Sequence, residues 1–415
     1  MRNEFREMIF YDHIIVGGGI LGASIAYHIS RKSNDSILVI ERNDFASAAS
    51  SRSAGLVLQG STKQSNIPLA KKTVEVISIL EEETRENLEY HQTGSLRLAS
   101  SKARVDELNS MIETASIFDV EVSVPNDQDI KRMAPWLNQD VVQHAAFFPS
   151  DGYLDSYRLT WHYIKAAKNN GAQFSANLGA TDIIVDGNKI QGINTANGKL
   201  CSSNLILAGG VWTSLFASKI NVAIAAAPVR SHYWLTAPDF DYGSEGSITI
   251  MPDVSAYTRP ELGGLLLGVQ ENECAVFDAR KLPEDLQYFS PTLGEDHWDI
   301  LLDSYSELSR FFPKIENANF SSYISGLSSY TPDGEIILGP IEEIDGLYVA
   351  AGDCGSGVSL SGGIGAVMSD LVVDGKSDIY SSSFRPDRFG TVDPFDGEFL
   401  KNCAMARSSK SRKMK

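Results

Sequence analysis

The sequence predicts an α/β protein, α+β in its two-domain arrangement: a Rossmann-like dinucleotide-binding domain with a mostly antiparallel β-sheet domain inserted into it. Three observations predict this. The chain has 415 residues, 43% of them hydrophobic, more than one domain usually holds and enough for a core shared by two lobes. A strand, a glycine turn, a helix and a second strand open the chain from "DHIIVGGGILGASIAYHI" (12–29). Farther on, helices with buried strands interleave with stretches of strand alternation, so neither kind of segment is contiguous.

"HIIVG" reads as a short buried strand. Gly17, Gly19 and Gly22 then form G-x-G-x-x-G around Ile20 and Leu21, "ASIAYHIS" has helical spacing, and "SILVIE" is a second buried strand ending in Glu41. Gly17 permits the tight turn, Gly19 lets backbone approach a pyrophosphate, and Gly22 lets helix and strand pack closely. The helix N-terminus offers free N–H groups to phosphates. Glu41 stands nineteen residues after Gly22, where a carboxylate accepts hydrogen bonds from ribose hydroxyls and repels a 2'-phosphate. The glycines alone are equally an ordinary turn; the complete series of strand, glycines, helix, strand and acid points to a dinucleotide.

"TGSLRLAS" alternates as a strand. "LTWHYIKAAKNNGAQF" is an amphipathic helix stopping at Gly171, and "ATDIIVDGNKIQGINTANGKLCSSNLILAGG" reads as strands joined by "DGN" and "ANGK" turns. "APVRSHYWLTA" to "YTRPELGGLLLGVQ" alternates again, and "ISGLSSYTPDGEIILG" with "GLYVAAGDCGSGVSLSGGIGAVMSDLV" adds a turn, a buried strand, a glycine loop and a small-residue helix. The expected division is a nucleotide-binding domain from 1–90, 150–215 and 325–390, an inserted substrate domain from 91–149 and 216–324, and a C-terminal extension, 391–415, whose basic tail is disordered.

Net charge is -17, and a strongly acidic surface repels phosphate backbones, so nucleic acid is excluded as a partner. The tail "KNCAMARSSKSRKMK" carries six Lys or Arg and no acid; short, Ser-rich and without hydrophobic periodicity, it reads as a frayed, solvated end. Four scattered cysteines without a C-x-x-C pair fit neither a disulfide scaffold nor a zinc site, and no metal is expected. No apolar run reaches the roughly 18 residues of a membrane span, and no leader precedes the first strand, so a soluble cytoplasmic protein is expected.

The motifs "GGGILGASIAYHI…VIER", "SSRSAGLV", "FFPSDGYLDSYRL", "LILAGGVW", "YTPDGEIILG", "LYVAAGDCGSGVSLSGGIG" and "SFRPDRF" occur in the order seen in the D-amino acid oxidase-like FAD oxidoreductases, and the chain resembles most the sarcosine and dimethylglycine dehydrogenase branch. The resemblance runs from about Tyr11 to Phe389 and implies FAD. By it, Arg42, Ser50, Ser51, Ser53, Ala54, Gly55 and Leu56 would line pyrophosphate and flavin. Ala180 would contact adenine, and Ala208, Gly209 and Trp212 would flank the ribityl chain. The residues agree: an extended FAD needs a second anchor, and Gly352, Gly355, Ser356, Gly357, Val358 and Ser359 supply a glycine loop and a helix N-terminus for the flavin edge.

Departures from these relatives matter as much. Dimethylglycine and sarcosine dehydrogenases attach flavin to a histidine where this chain has Arg52, and monomeric sarcosine oxidases to a cysteine where it has Ser328, so FAD should be noncovalent. Cys354, inside the glycine loop, reads as a small packed thiol. Monomeric sarcosine oxidases place a lysine over the flavin to help reduce oxygen, and the matching residue is Leu266. That favours a dehydrogenase passing electrons to a flavoprotein or quinone, unless another cation such as Lys63 substitutes. Many amino-acid-oxidising relatives hold the substrate carboxylate with an arginine before T-P-D-G, and Ser328 stands there too. A buried carboxylate then needs another partner: Arg259 first, with Tyr257 beside it, and Arg52 second. Asp333 reads as a turn residue, and His232 and Tyr233 are candidate linings of the cavity, a satisfied core position being the commoner fate of such a histidine.

The implied reaction moves the equivalent of a hydride from the carbon next to nitrogen to flavin N5, after which the imine hydrolyses. Tyr257, Tyr330 and Trp234 are candidate walls for the neutral amine. The substrate is thus a small amino acid or N-methylated amine. The alternatives are a flavin-bound subunit or regulator of a larger complex without turnover of its own, and an oxygen-using amine oxidase. Oligomeric state stays open.

Overall fold

The computed structural model describes residues 9–410 except 240, 241, 243–245, 293 and 295. The opening unit is β1 (Ile9–Val16), α1 (Ile20–Lys32) and β2 (Ile37–Ile40), followed by β3 (Leu56–Val57) and α2 (Asn66–Thr84). Next come β4 (Ser95–Ala99), α3 (Lys102–Ile117), α4 (Asp127–Met133), β5 (His144–Phe148) and β6 (Gly152–Tyr153). The middle of the chain forms α5 (Ser156–Asn169), β7 (Gln173–Ser175), β8 (Ala180–Asp186), β9 (Lys189–Thr195), β10 (Gly198–Leu207) and α6 (Thr213–Ser218). Then follow β11 (Ala227–Thr236), β12 (Ile248–Met251), β13 (Ala256–Glu261), β14 (Gly264–Val269), α7 (Asp296–Phe311) and β15 (Phe320–Tyr330). The last elements are β16 (Ile337–Pro340), β17 (Leu347–Ala351), α8 (Gly357–Val373) and α9 (Gly397–Ser408).

The first sheet runs β16-β17-β10-β1-β2-β7, with β9 also pairing β10 and β8 pairing β9. Its centre is parallel: β1 lies between β2 and β10, and β10 pairs β17 in the same sense. Such strands bury both faces and therefore read as continuous apolar runs. "HIIV" and "ILVI" do so, with Ile14, Ile15 and Val39 all 0% exposed. Helices α1, α2, α5 and α8 cover one face. The small residues of α8 allow very close approach: a Cβ on Gly363 would lie 2.2 Å from the Leu69 Cα, and one on Gly365 2.3 Å from the Ser24 Oγ.

The second sheet runs β15-β11-β14-β13-β12-β4-β5 and is antiparallel except where β4 meets β12. One face packs on α7 through Trp234, Leu265, Leu267, Leu308 and Phe311. The other turns toward the first sheet, and the cavity lies between them. The fold is thus the predicted α/β class.

The structure corrects the reading of the tail as a frayed, solvated end. Asp396 caps α9 by accepting from the Glu398 and Phe399 N–H groups, and Phe399, Cys403 and Arg407 recur every fourth residue on its buried face. Phe399, Cys403 and Ala404 join the core beside Tyr330 and Cys354. Residues 411–415 of that tail lie outside the described residues. Among the described residues no helix is long and apolar enough to cross a membrane.

Candidate active site

The glycine turn is held by contacts only glycine permits. Gly17 has φ +118°, and its Cβ would lie 2.3 Å from the Ala208 carbonyl oxygen. Gly22 faces back on the same turn, where a Cβ would lie 2.0 Å from the Gly17 carbonyl oxygen. Glu41 is built into the turn as well: its carboxylate accepts from the Gly18 N–H at 2.9 Å and the Asn43 N–H at 3.0 Å. Ser50 Oγ accepts from the Ile20 N–H at 3.0 Å, tying the "ASSRSAG" segment to the first turn of α1.

A cavity of about 1000 Å³ runs from this turn across both sheets, at the upper end of what small-molecule sites usually offer. Most of the residues singled out from the sequence line it; Gly22, Ser51, Gly55, Gly352, Arg259, Trp234 and Leu266 do not. Gly22 and Gly55 are packed against backbone, the latter with φ +70° and a Cβ position 1.9 Å from the Leu154 carbonyl oxygen. Ser51 is exposed and bonds the Ala48 carbonyl. Gly352 donates to Ser329 Oγ at 3.2 Å.

At one end Arg42 lies over the Trp212 ring, 4.0 Å from its centroid, near Ala180, Ala208 and Gly209, which also line the cavity. Its Nη2 is buried with no hydrogen-bond partner among the described residues. A cation with an unused donor beside a glycine turn fits the anionic middle of a dinucleotide.

At the other end lies the glycine loop before α8. Asp353, which sequence reasoning passed over, accepts from the Gly357 N–H at 2.8 Å and so occupies a donor at the helix N-terminus. Cys354 has φ +52°; its Sγ donates to the Gly352 carbonyl at 3.1 Å, and burial pushes the thiol up to about 11. It is a packed thiol. Lys410, beyond α9, donates to the Cys354 carbonyl at 2.8 Å and to Ser356 Oγ at 3.2 Å.

The inserted sheet closes the cavity with Tyr233, Tyr257 and Tyr330. Trp234, expected as a wall, is corrected: side chains alternate along β11, so Trp234 points into the opposite core, 0% exposed, and Tyr233 takes the wall. His232 lines the cavity too, with both ring nitrogens satisfied, 3.1 Å from the Val269 carbonyl and 3.3 Å from the Tyr323 hydroxyl. Burial and the nearby Arg407 and Arg230 push it down to about 2.

Both arginines expected to meet a substrate carboxylate are committed elsewhere. Arg259 donates to the Ala54 carbonyl at 2.7 Å and the Pro260 carbonyl at 2.8 Å, pairs with Glu261, and stacks 4.6 Å from the Tyr153 centroid. Arg52 reaches the cavity edge, but its guanidinium donates to the Leu286, Gln287 and Phe289 carbonyls. The sequence reading missed a cation that does enter: Arg407 of α9, 5% exposed. The signal for it was the spacing Phe399, Cys403, Arg407. Among the described residues no three His, Cys, Asp or Glu converge on a metal site.

Comparison with known proteins agrees with this geometry. The chain is 28% identical over 382 residues to 4-methylaminobutanoate oxidase (formaldehyde-forming) of Paenarthrobacter nicotinovorans, covering 91% of this chain and 45% of that protein. It is 25% identical to human mitochondrial dimethylglycine dehydrogenase, covering 91% and 44%. The chain therefore spans less than half the length of these two relatives. In structure it matches L-proline dehydrogenase from P. horikoshii with a TM-score of 0.81 at 23% identity, covering 92% of this chain and 98% of that one. The FAD dependent oxidoreductase family matches residues 12–371, nearly the whole span that builds the two sheets and the cavity, and the chain belongs to that family.

Proposed function

We propose that this chain oxidises the carbon next to nitrogen in an amino acid or N-methylated amine, passing electrons preferably to a flavoprotein or quinone rather than to oxygen. The observation that carries this reading is the pocket of Tyr233, Tyr257 and Tyr330 where the cavity meets the glycine loop. Burial pushes all three phenols up, Tyr233 to about 12, so they stay neutral at pH 7. An alkylamine must present a free lone pair, which at pH 7 means overcoming roughly three pKa units or about 4 kcal/mol. Desolvation among aromatic rings disfavours the ammonium form and works in that direction. FAD, when bound, accepts the hydride equivalent; Glu41, Arg42 and the glycine turn would hold its dinucleotide part, and the tyrosines would enclose the amine and exclude water. The names of the similar proteins point the same way, since 4-methylaminobutanoate, dimethylglycine and L-proline are all amines.

Anaerobic mixing with sarcosine, dimethylglycine, 4-methylaminobutanoate and L-proline tests the reading: at least one should bleach the bound flavin. If none does, the chain is a flavin-bound subunit or regulator without turnover of its own.

In the same proposal FAD is held by contacts alone. Arg52 at one attachment position is occupied by carbonyls, and Ser328 at the other lies 3.1 Å from Ser231 Oγ; neither is a nucleophile for flavin. Acid or heat precipitation should release the yellow colour into the supernatant, and colour retained by the washed pellet would refute a noncovalent cofactor.

A further inference from the structure

We infer that Arg407, delivered by α9, is the anchor for a substrate carboxylate, so that the enzyme selects amines that carry one. The inference rests on the amine-oxidation reading above and narrows it. Arg407 is 5% exposed yet lines the cavity beside Tyr257, Gln270 and Tyr330. Its helix is fixed from below by Phe399 and Cys403, which brings the buried side chain of Arg407 to the cavity.

The charges around it are unevenly shared. Glu271, 6% exposed, is the only carboxylate paired with Arg407 among the described residues, through a single contact at 3.5 Å. The same carboxylate also meets Arg230 at 3.4 Å and His232 at 3.4 Å, while Asp296 pairs with Arg230. Arg407 Nε is buried and has no hydrogen-bond partner among the described residues. A guanidinium has five donors arranged as a fork that matches a carboxylate. Burying it with a donor unsatisfied is costly unless something arrives to accept. A ligand carboxylate supplies the acceptor that Nε lacks, in a charge-assisted bond. Neither Arg259 nor Arg52 can do this, because backbone carbonyls already hold their donors.

The test uses FAD-loaded protein and two readouts. Acetate, propanoate and butanoate, which contain no amine to oxidise, are titrated while the flavin absorbance is followed; acetamide, propanamide and butanamide serve as controls. At least one carboxylate should perturb the spectrum of the wild type. Its affinity should fall about 10- to 150-fold in Arg407→Met, the loss expected for charge-assisted hydrogen bonds. Separately, anaerobic flavin reduction by sarcosine and 4-methylaminobutanoate is compared with that by dimethylamine and N-methylpropylamine, which lack the carboxylate. The wild-type preference for the acids should collapse in the variant. Unchanged carboxylate affinity, or an unchanged preference, in a variant with normal flavin content overturns the inference. If Arg407→Met does not retain FAD, Arg407→Lys, which keeps the charge without the fork, takes its place; wild-type carboxylate affinity there overturns it equally. Should no amine reduce the wild-type flavin, the oxidation reading fails, while the carboxylate titration still decides the role of Arg407.

Discussion

Gly22→Ala should give protein that carries no flavin after gel filtration. The backbone of α1 at Gly22 is ordinary helix, and on propensity alone alanine would stabilise it by about 1 kcal/mol. The contact reverses the sign. The new methyl would lie 2.0 Å from the Gly17 carbonyl oxygen and 3.3 Å from Ile15 Cγ2, and a backbone carbonyl cannot rotate aside as a side chain can. Relief requires α1 to move away from β1 by more than an ångström, where overpacking commonly costs 1–3 kcal/mol and occasionally more. That movement separates Gly19 and the Ile20 N–H from Ser50 and opens the turn closed by Glu41. We expect FAD affinity to fall at least about 100-fold, as a loss of roughly 3 kcal/mol gives. Flavin-to-protein ratio and thermal midpoint are the measurements. Gly187→Ala is the control: its Cβ would meet nothing within 4 Å, so only its positive φ is strained. Wild-type flavin content in Gly22→Ala would mean that the turn yields at little cost.

Substrate-reduced enzyme should reoxidise slowly in air and rapidly with a dye or quinone, and Leu266→Lys should accelerate the reaction with oxygen. Superoxide, formed on the first electron transfer, is a poorly solvated anion in an apolar site. Leu266 is 0% exposed; it does not itself line the cavity, but alternation puts it on the same side of the sheet as Gln270, just beyond β14, which does. A cation about 4 Å away at an effective dielectric near 20 is worth roughly 4 kcal/mol, or close to a thousandfold in rate. Among the cations that line the cavity, Arg42, Arg97 and Arg407 each keep a buried nitrogen without a hydrogen-bond partner among the described residues, while Lys63, Arg52 and Lys410 are held by other groups. Lys63 pairs with Glu335 at 3.3 Å, Arg52 holds carbonyls, and Lys410 is bonded to the Cys354 carbonyl. Stopped-flow mixing with aerated buffer decides the matter. Reoxidation as fast as that of a good oxidase would sink the prediction and assign the oxygen reaction to one of these cations, with Arg407→Met and Lys410→Met the variants to examine next.

What the sequence made legible was local. The turn from Gly17 to Glu41 could be read because strand, glycines, helix and acid act within thirty residues, and their spacing is itself the constraint. The α/β class followed from apolar runs alternating with helical periods. Phase was harder. "RSHYWL" alternates whichever face is inward, so Trp234 and Tyr233 could be assigned to sides only once β11 was paired with β15 across ten residue pairs. The fate of the arginines was not legible at all. Arg259 is held by Ala54, 205 residues earlier, and Arg407 gains its place through a helix that looks like a solvated tail until Phe399 and Cys403 are seen against Tyr330. Such commitments depend on contacts between distant segments, which no short window contains.

The strand order of the first sheet carries a consequence for biosynthesis. β1 is synthesised before the other strands of its sheet and meets β2 soon after, but its other neighbour, β10, begins only at Gly198. At 5–20 residues per second the interval is roughly 10 to 40 s. During it the open edge of β1 keeps its N–H and C=O groups unpaired beside Ile14 and Ile15, a template for pairing with other chains. A nascent-chain chaperone, or less frequent initiation that keeps fewer open edges together at one time, should therefore raise the yield of folded protein.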